Sequence, residues 1–277
     1  MPTITEDKDH LADGITTSVW VATAGTPEKK PLNKDTSADV VVIGAGIAGL
    51  TTAYLLAQEG KSVVVLDDGP IGGGMTSRTT AHLTNALDDR FYELERLFGE
   101  EGARLAAESH TAAIDQVEAI VNKEKIECEF ERTDGYLFLP TNGRVKVLED
   151  ELPAAHRAGL TDVRRLERAP LEFWDTGPCL HFPRQGQFHP LLYLSGLVRA
   201  IERDGGKIYT GTHAEEVEGG DDAHVTTSSG YEIKCKAVVV ATNTPVNDRF
   251  AIHTKQGPYT TYVIGARIPK DSVPSIL

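Results

Sequence analysis

The run VVIGAGIAGLTTAYLLAQEGKSVVVLDD, Val41 to Asp68, decides how this chain is read. Val40 to Ile43 predicts a strand buried on both faces, Ile47 to Glu59 a helix, and Ser62 to Leu66 a second buried strand. They make one βαβ unit, whose right-handed crossover leaves the two strands parallel. Gly44, Gly46 and Gly49 stand as G-x-G-x-x-G between strand and helix. The first permits a tight turn, the second lets a pyrophosphate reach the backbone, and the third lets the helix lie close to the strand. Ala53, one turn on, is small where the helix must sit near the sheet. The helix start, through Ile47 and Ala48, offers free N–H groups and the positive dipole end to phosphate. Asp67 closes the second strand at the distance where a carboxylate takes the hydroxyls of an adenosine ribose, and Asp68 follows it. An acid there also repels the extra phosphate of NADP.

The fingerprint recognises an ADP half that NAD and FAD share, so other segments must separate them. A second glycine-rich run, Gly72-Gly73-Gly74, follows directly, and then Met75-Thr76-Ser77-Arg78-Thr79-Thr80. NAD gives no reason for a second loop at this point. An extended FAD does, because backbone N–H groups from Gly74 onward can reach its pyrophosphate and flavin ring. On composition alone the loop also reads as a flexible surface turn.

Composition bounds the remaining possibilities. There are 28 basic against 41 acidic residues, a net charge of −13, in 277 residues of which 40% are hydrophobic and 25% charged. That balance repels phosphodiesters and anionic lipid, which excludes nucleic acid and a membrane surface as expected partners. Cys128, Cys179 and Cys235 are scattered, without a Cys-x-x-Cys pair, so no metal site is expected and each thiol reads as a small buried hydrophobe. The acidic start MPTITEDKDHLADG lacks the pattern of a secretory signal, and no apolar run spans a bilayer, so a cytoplasmic protein is expected.

Residues 1–36 read as a polar lead, in which Val19 and Trp20 can pin the chain to the surface. Two helices are predicted over Asp88 to Phe98 and Glu100 to Lys123, capped by Asp88 or Asp89 and separated by Gly99, with Ile114, Val117 and Val121 in the core. The sequence then predicts a strand at Tyr136 to Leu139 after an Asp134-Gly135 turn, and a helix from Arg144 to Arg157 shortened by Pro153. His181 to Pro190 reads as irregular, followed by a helix from Pro190 to about Asp204. Short strands are predicted at Lys207–Tyr209, His224–Thr227 and Tyr231–Lys234, and a buried one at Ala237 to Ala241 that ends in ATNTP.

Taken together, DVVVIGAGIAGLTTAYLL, GMTSRTTAHLT, QGQFHP and KAVVVATNTP resemble the D-amino-acid-oxidase/glycine-oxidase-like FAD-dependent oxidoreductases. More narrowly, the resemblance is to the bacterial branch usually fused to a C-terminal Rieske iron–sulfur domain; no Rieske cysteine–histidine pairs occur in this sequence. It implies an α/β fold, with a Rossmann-like FAD-binding domain over 37–87 and 188–250 interleaved with an α+β substrate domain over 88–187 and 251–277. In the family the substrate sheet continues past IPKDSVPSIL and the chain returns to complete the FAD domain, so the C-terminal part of the fold is expected to be missing.

The resemblance further implies that Gly44, Gly46 and Gly49 lie under the pyrophosphate, Asp67 holds the ribose, and Ser77, Arg78, Thr79 and Thr80 line the pyrophosphate and flavin edge. Val217 meets adenine through its backbone, and Ala241 and Thr242 pass close to the cofactor. The implied reaction is oxidation of a C–N bond in a small amine or amino acid, with hydride passing to flavin N5 and an iron–sulfur or other electron acceptor as partner. The alternative is a flavin-binding fragment or electron-transfer module without its own turnover; an NAD-dependent dehydrogenase fits only the first βαβ unit. Flavin chemistry requires no acid–base dyad, and the sequence displays none. His82, Arg184, His189 and Tyr259 are candidates near a substrate, with Tyr136 and Tyr262 on segments that resemble the substrate sheet. TSRTTAH is similar to the segment in which sarcosine- and dimethylglycine-dehydrogenase-type enzymes bond a histidine to the flavin; noncovalent FAD is the default and covalent attachment at His82 the alternative.

Overall fold

The computed structural model describes residues 17–172 and 174–243, with Pro269 and Ser272. In chain order the elements are α1 (Val19–Thr23), β1 (Thr36–Ser37), β2 (Val40–Ile43), α2 (Ile47–Gln58), β3 (Val63–Leu66), β4 (His82–Leu83), α3 (Phe91–Glu124), β5 (Glu131–Phe138) and α4 (Lys146–Arg157). They continue as β6 (Arg164–Leu166), β7 (Cys179–Gln187), α5 (Pro190–Arg203), β8 (Lys207–Tyr209), β9 (Ala214–Glu218), β10 (His224–Thr227), β11 (Glu232–Lys234) and β12 (Ala237–Val240). The chain divides into two compact units: the described residues up to Thr80 and from His189 to 243 form one, and Ala81–Phe188 form the other.

The first unit is Rossmann-like. Its parallel sheet runs β12-β2-β3-β8, and every residue of β2 and β3 is buried, as continuous Val/Ile/Leu runs require when both faces are covered. Val41, Ile43, Val64 and Leu66 pack with Ala214, Val225 and Ile233, so an antiparallel sheet of β9, β10 and β11, joined by β1, covers one face. Alternation turns the intervening valines toward the other face, where α2 and α5 pack on the strands and on each other. Asp39 gathers the strand starts: its carboxylate accepts from the Ser62 N–H (2.9 Å) and hydroxyl (2.7 Å) and pairs with Lys236 at 2.7 Å. These contacts, led by Lys236, hold the Asp39 carboxyl well below the usual carboxylate range.

The second unit is an antiparallel sheet with helices. β7 lies at its centre, with β5 along one edge and β4 and β6 at two ends of the other. Leu180 and Phe182 pack into a core with Phe91, Ala103 and Ala107 of α3 and Leu148, Ala154 and Ala155 of α4.

Several predictions from sequence are corrected here. The stretch from His181, read as irregular, is mostly the nine-residue central strand β7; Pro183 and the positive-φ Arg184 (58°) interrupt its pattern without ending it. Asp134-Gly135 is no turn, because β5 runs through it with only a register shift between Thr133 and Gly135. Helix α4 carries Pro153 in its interior, and Val121 is half-buried while its neighbour Ile120 is buried. Gly99 (φ 74°, ψ 170°) does separate two helical stretches within α3.

The cap of α3 differs most. Neither Asp88 nor Asp89 caps it; Arg90 (φ 49°) stands at that position, and the first N–H groups are met from across the core. Glu151 of α4, wholly buried, accepts from Phe91 N (2.8 Å) and Tyr92 N (3.4 Å), while its Oε1 has no hydrogen bond among the described residues. Burial pushes this carboxyl up to about 7, against the two N–H groups and Arg90, which favour the charged form; Glu95 adds a small upward push. Because the folded pKa exceeds the unfolded one, the favourable contribution is full below the unfolded pKa of 4.5 and disappears as pH rises through 7. Chemical denaturation from about pH 5 to about pH 8 should show a loss on the order of 2 kcal/mol from this group, and E151Q should flatten that slope.

Candidate dinucleotide site

The site grows from the carboxyl end of β2. Gly44 has φ +108°, and a Cβ on it would stand 2.8 Å from the Ala241 carbonyl oxygen at the end of β12. Gly49 is tighter still: a Cβ there would lie 1.8 Å from the Gly44 carbonyl oxygen. Without side chains at these two positions, α2 seats its first turn directly on the turn it follows. Gly46 is the N-cap, with no side-chain cap. The N–H groups of Ala48 and Gly49 have no hydrogen bond among the described residues, so they and the positive end of the helix dipole stand open, a geometry suited to an anion.

Asp67 closes β3 and turns back to this turn. Its Oδ2 accepts from Ala45 N at 2.6 Å and its Oδ1 from Gly69 N at 2.8 Å, while Thr212 N donates to its carbonyl at 2.9 Å. Half-burial pushes its carboxyl pKa up, and the two N–H groups offset this in part. The carboxylate is thus fixed at the rim of the turn. Asp68 is exposed and meets His213 at 3.4 Å.

The second glycine-rich run folds onto the first. Gly72 N donates to the Ala45 carbonyl at 3.1 Å, and Ile47 N donates to the Thr76 hydroxyl at 3.2 Å. Met75 to Arg78 form a 3-10 turn in which Ser77 N donates to Gly72 O and its hydroxyl to Gly74 O. Thr79 accepts the Trp20 indole N–H through its carbonyl at 2.8 Å. Ala241 lies against Gly44, with Thr242 next in the chain. Val217 sits on β9, the outer strand of the antiparallel sheet. Thr76 and Ala45 were not singled out by sequence reasoning. A threonine after three glycines carries no signal that its hydroxyl will stand on a helix start 29 residues back.

The other candidates are spread out. His189 is a structural cap of α5: buried, it accepts from Leu192 N through Nδ1 (3.4 Å) and meets the Thr23 hydroxyl through Nε2 (3.0 Å). Arg184 is exposed and paired with Asp162 at 2.6 Å. His82 heads β4 in the second unit as an exposed residue, and the part of it that is desolvated pushes its pKa down. Tyr136 lies in register with His181 and, across β7, with Arg164. Arg164 Nε donates to His181 Nδ1 at 3.3 Å and His181 Nε2 meets Asp134 at 2.9 Å, a polar row opposite the Leu180 and Phe182 face. Tyr259 and Tyr262 lie outside the described residues. A cleft of about 800 Å³ in the second unit is lined by Arg104, Arg132 and Arg184, but each arginine is already paired with carboxylates. Its volume alone does not mark it as an anion site, whereas the first unit leaves two helix N–H groups open. Among the described residues no group of His, Cys, Asp and Glu is arranged for a metal, and no helix is long and apolar enough to cross a membrane.

Residues 39–271 match the family described as FAD dependent oxidoreductase, the DAO family. This chain belongs to that family. FAD is the family's cofactor, and the turn, the open helix start and the fixed Asp67 carboxylate fit its ADP half. Among relatives, a putative Rieske 2Fe-2S iron–sulfur protein, YhfW of Bacillus subtilis (strain 168), is 33% identical over 240 residues, 86% of this chain and 47% of that protein. Gamma-glutamylputrescine oxidoreductase of Escherichia coli (strain K12) is 28% identical, covering 79% of this chain and 52% of that one. Among solved structures, L-amino acid deaminase from Proteus myxofaciens has the same fold, with a TM-score of 0.61 at 20% identity over 79% of this chain and 48% of that one. The chain spans about half the length of the curated relatives it matches.

The close approach at Gly49 and the open space at Gly74 separate the glycines by experiment. Gly49→Ala should cost roughly 3 kcal/mol or prevent folding, because a backbone carbonyl occupies the methyl's place. Gly74→Ala, with nothing within 4 Å of its new methyl, should stay within about 1 kcal/mol of wild type by denaturant unfolding.

Proposed function

We propose that this chain holds FAD extended from the 44–49 turn to the 72–80 segment, in a protein that oxidises a C–N bond of a small amine or amino acid. The observation that carries the reading is that the two glycine-rich runs are one hydrogen-bonded structure, through Thr76 to Ile47 and Gly72 to Ala45. NAD would leave the second run without a cofactor to contact. Gly44, Gly46, Gly49, Ile47 and Ala48 take the pyrophosphate, and Asp67 accepts from the ribose hydroxyls beside Asp68. Gly74, Ser77, Arg78, Thr79 and Thr80 line the pyrophosphate and flavin edge, Ala241 and Thr242 flank the cofactor, and Val217 offers adenine the backbone of an outer strand.

When bound, FAD would supply a two-electron acceptor for the hydride lost from the substrate carbon, leaving an iminium that gives its proton to solvent. The chain's own residues bind and orient. In the second unit Arg164 and Tyr136 flank His181, but the Asp134 carboxylate already meets His181 at 2.9 Å, so neither this row nor the ion-paired Arg184 is assigned to the substrate. Amine and amino-acid substrates are supported by the names of the relatives from Escherichia coli and Proteus myxofaciens, and an iron–sulfur acceptor by that of the Bacillus subtilis relative. The alternative reading is a flavin-binding module without its own turnover.

FAD titration followed by flavin fluorescence tests the binding. Wild type should take up one FAD per chain, and Asp67→Ala should weaken uptake about tenfold or more, the loss of charge-assisted hydrogen bonds. No uptake by the folded wild-type chain would contradict the reading. The yellow protein should bleach anaerobically with a small amine or amino acid; a yellow protein inert to all of them selects the module reading. On acid precipitation the colour should stay in the supernatant, as for noncovalent FAD; colour in the pellet would instead place the flavin on a side chain, with His82 the first to test.

A further inference from the structure

Helix α1 is five residues long, buries none of them and leaves Val19 and Val21 exposed, so neither its length nor a core contact explains it. Ser18 caps it, and two of its side chains reach into the unit. Trp20 donates its indole N–H to the Thr79 carbonyl at 2.8 Å and stands edge-on to His189, with ring centroids 5.0 Å apart. The Thr23 hydroxyl meets His189 Nε2 at 3.0 Å and donates to the Val19 carbonyl. Since Leu192 N donates to His189 Nδ1, Nε2 carries the ring proton and donates to Thr23. The chain of contacts therefore runs in one direction, from the α5 cap through Thr23 into α1, and from Trp20 onto the glycine-rich segment.

That segment is held at three places. Its start packs on α5, where a Cβ on Gly72 would lie 2.8 Å from both Leu191 and Leu194 side chains. Its middle is tied to α2 by Thr76. Its end is tied by Trp20, which comes from the polar lead and contributes little to any core.

We propose that Trp20 is a positioning residue for the cofactor: through the Thr79 carbonyl it fixes the 75–80 segment along which FAD lies. This rests on the FAD reading above. Its effect on the flavin passes through the backbone it holds at Thr79.

The test compares wild type with W20F, which keeps a ring beside His189 and removes the donor, and with W174F as control, since Trp174 packs edge-on to Phe138 in the other unit. Two readouts are taken on the full chain: amide hydrogen exchange over 75–80 without FAD, and FAD affinity with the shape of the bound flavin's visible band. W20F should exchange about fivefold or more faster over 75–80, bind FAD about five- to tenfold more weakly and change the band, while W174F changes none of these. Unchanged exchange in W20F overturns the proposal. Faster exchange with unaltered FAD affinity and band overturns its cofactor half and leaves Trp20 a structural strap. If wild type takes up no FAD, the FAD reading has failed, and exchange alone decides whether Trp20 holds the segment.

Discussion

The absence of a side chain on Gly49 is the constraint on which the first unit turns. With a carbonyl oxygen 1.8 Å from where its methyl would be, α2 can approach the end of β2 only as glycine allows. That approach places an uncapped helix start at the carboxyl edge of a parallel sheet, where the dipole and two N–H groups stand open. Everything else at the site is referred to this point. Asp67 reaches back to Ala45, Gly72 to the Ala45 carbonyl, Thr76 to Ile47, and Ala241 lies against Gly44. Segments far apart in the chain meet around one turn because that turn is bare.

The same logic explains why this part of the fold was legible from sequence. Val40–Ile43 and Val63–Leu66 are buried on both faces, and only a continuous apolar run satisfies that, so the strands announce themselves. The glycine spacing and the acid at the end of the strand state the geometry almost literally. The second unit speaks less clearly. β7 contains His181, Pro183, Arg184 and Gln185, and its apolar residues alternate only in part, so its place at the centre of a sheet is set by partners distant in sequence. The cap of α3 was illegible for a similar reason. Asp88 and Asp89 are the right residues nearby, but Glu151, 60 residues on, takes the task from inside the core.

At the candidate site, residue types were read more easily than their employment. His189 reads from sequence as a candidate near a substrate; it is consumed in capping α5 and anchoring α1. Arg184 looked like an anion binder and is held by Asp162 on the surface. Thr76 and Trp20, by contrast, carry no motif, and their importance appears only when the second glycine-rich run is seen between α2, α5 and α1. Family membership and the shared fold then give FAD as the cofactor, while substrate and acceptor stay tied to the proposed reading.

What the open turn at the end of β2 is proposed to receive is a diphosphate. The most direct test is a ¹H–¹⁵N spectrum of the labelled chain titrated with ADP, the half of the cofactor that this turn should hold. The amides of Ala45, Ala48 and Gly49 should shift first and furthest, followed by Gly69 beside the Asp67 carboxylate. Saturable binding with those amides unmoved and the shifts gathered in the second unit would contradict it.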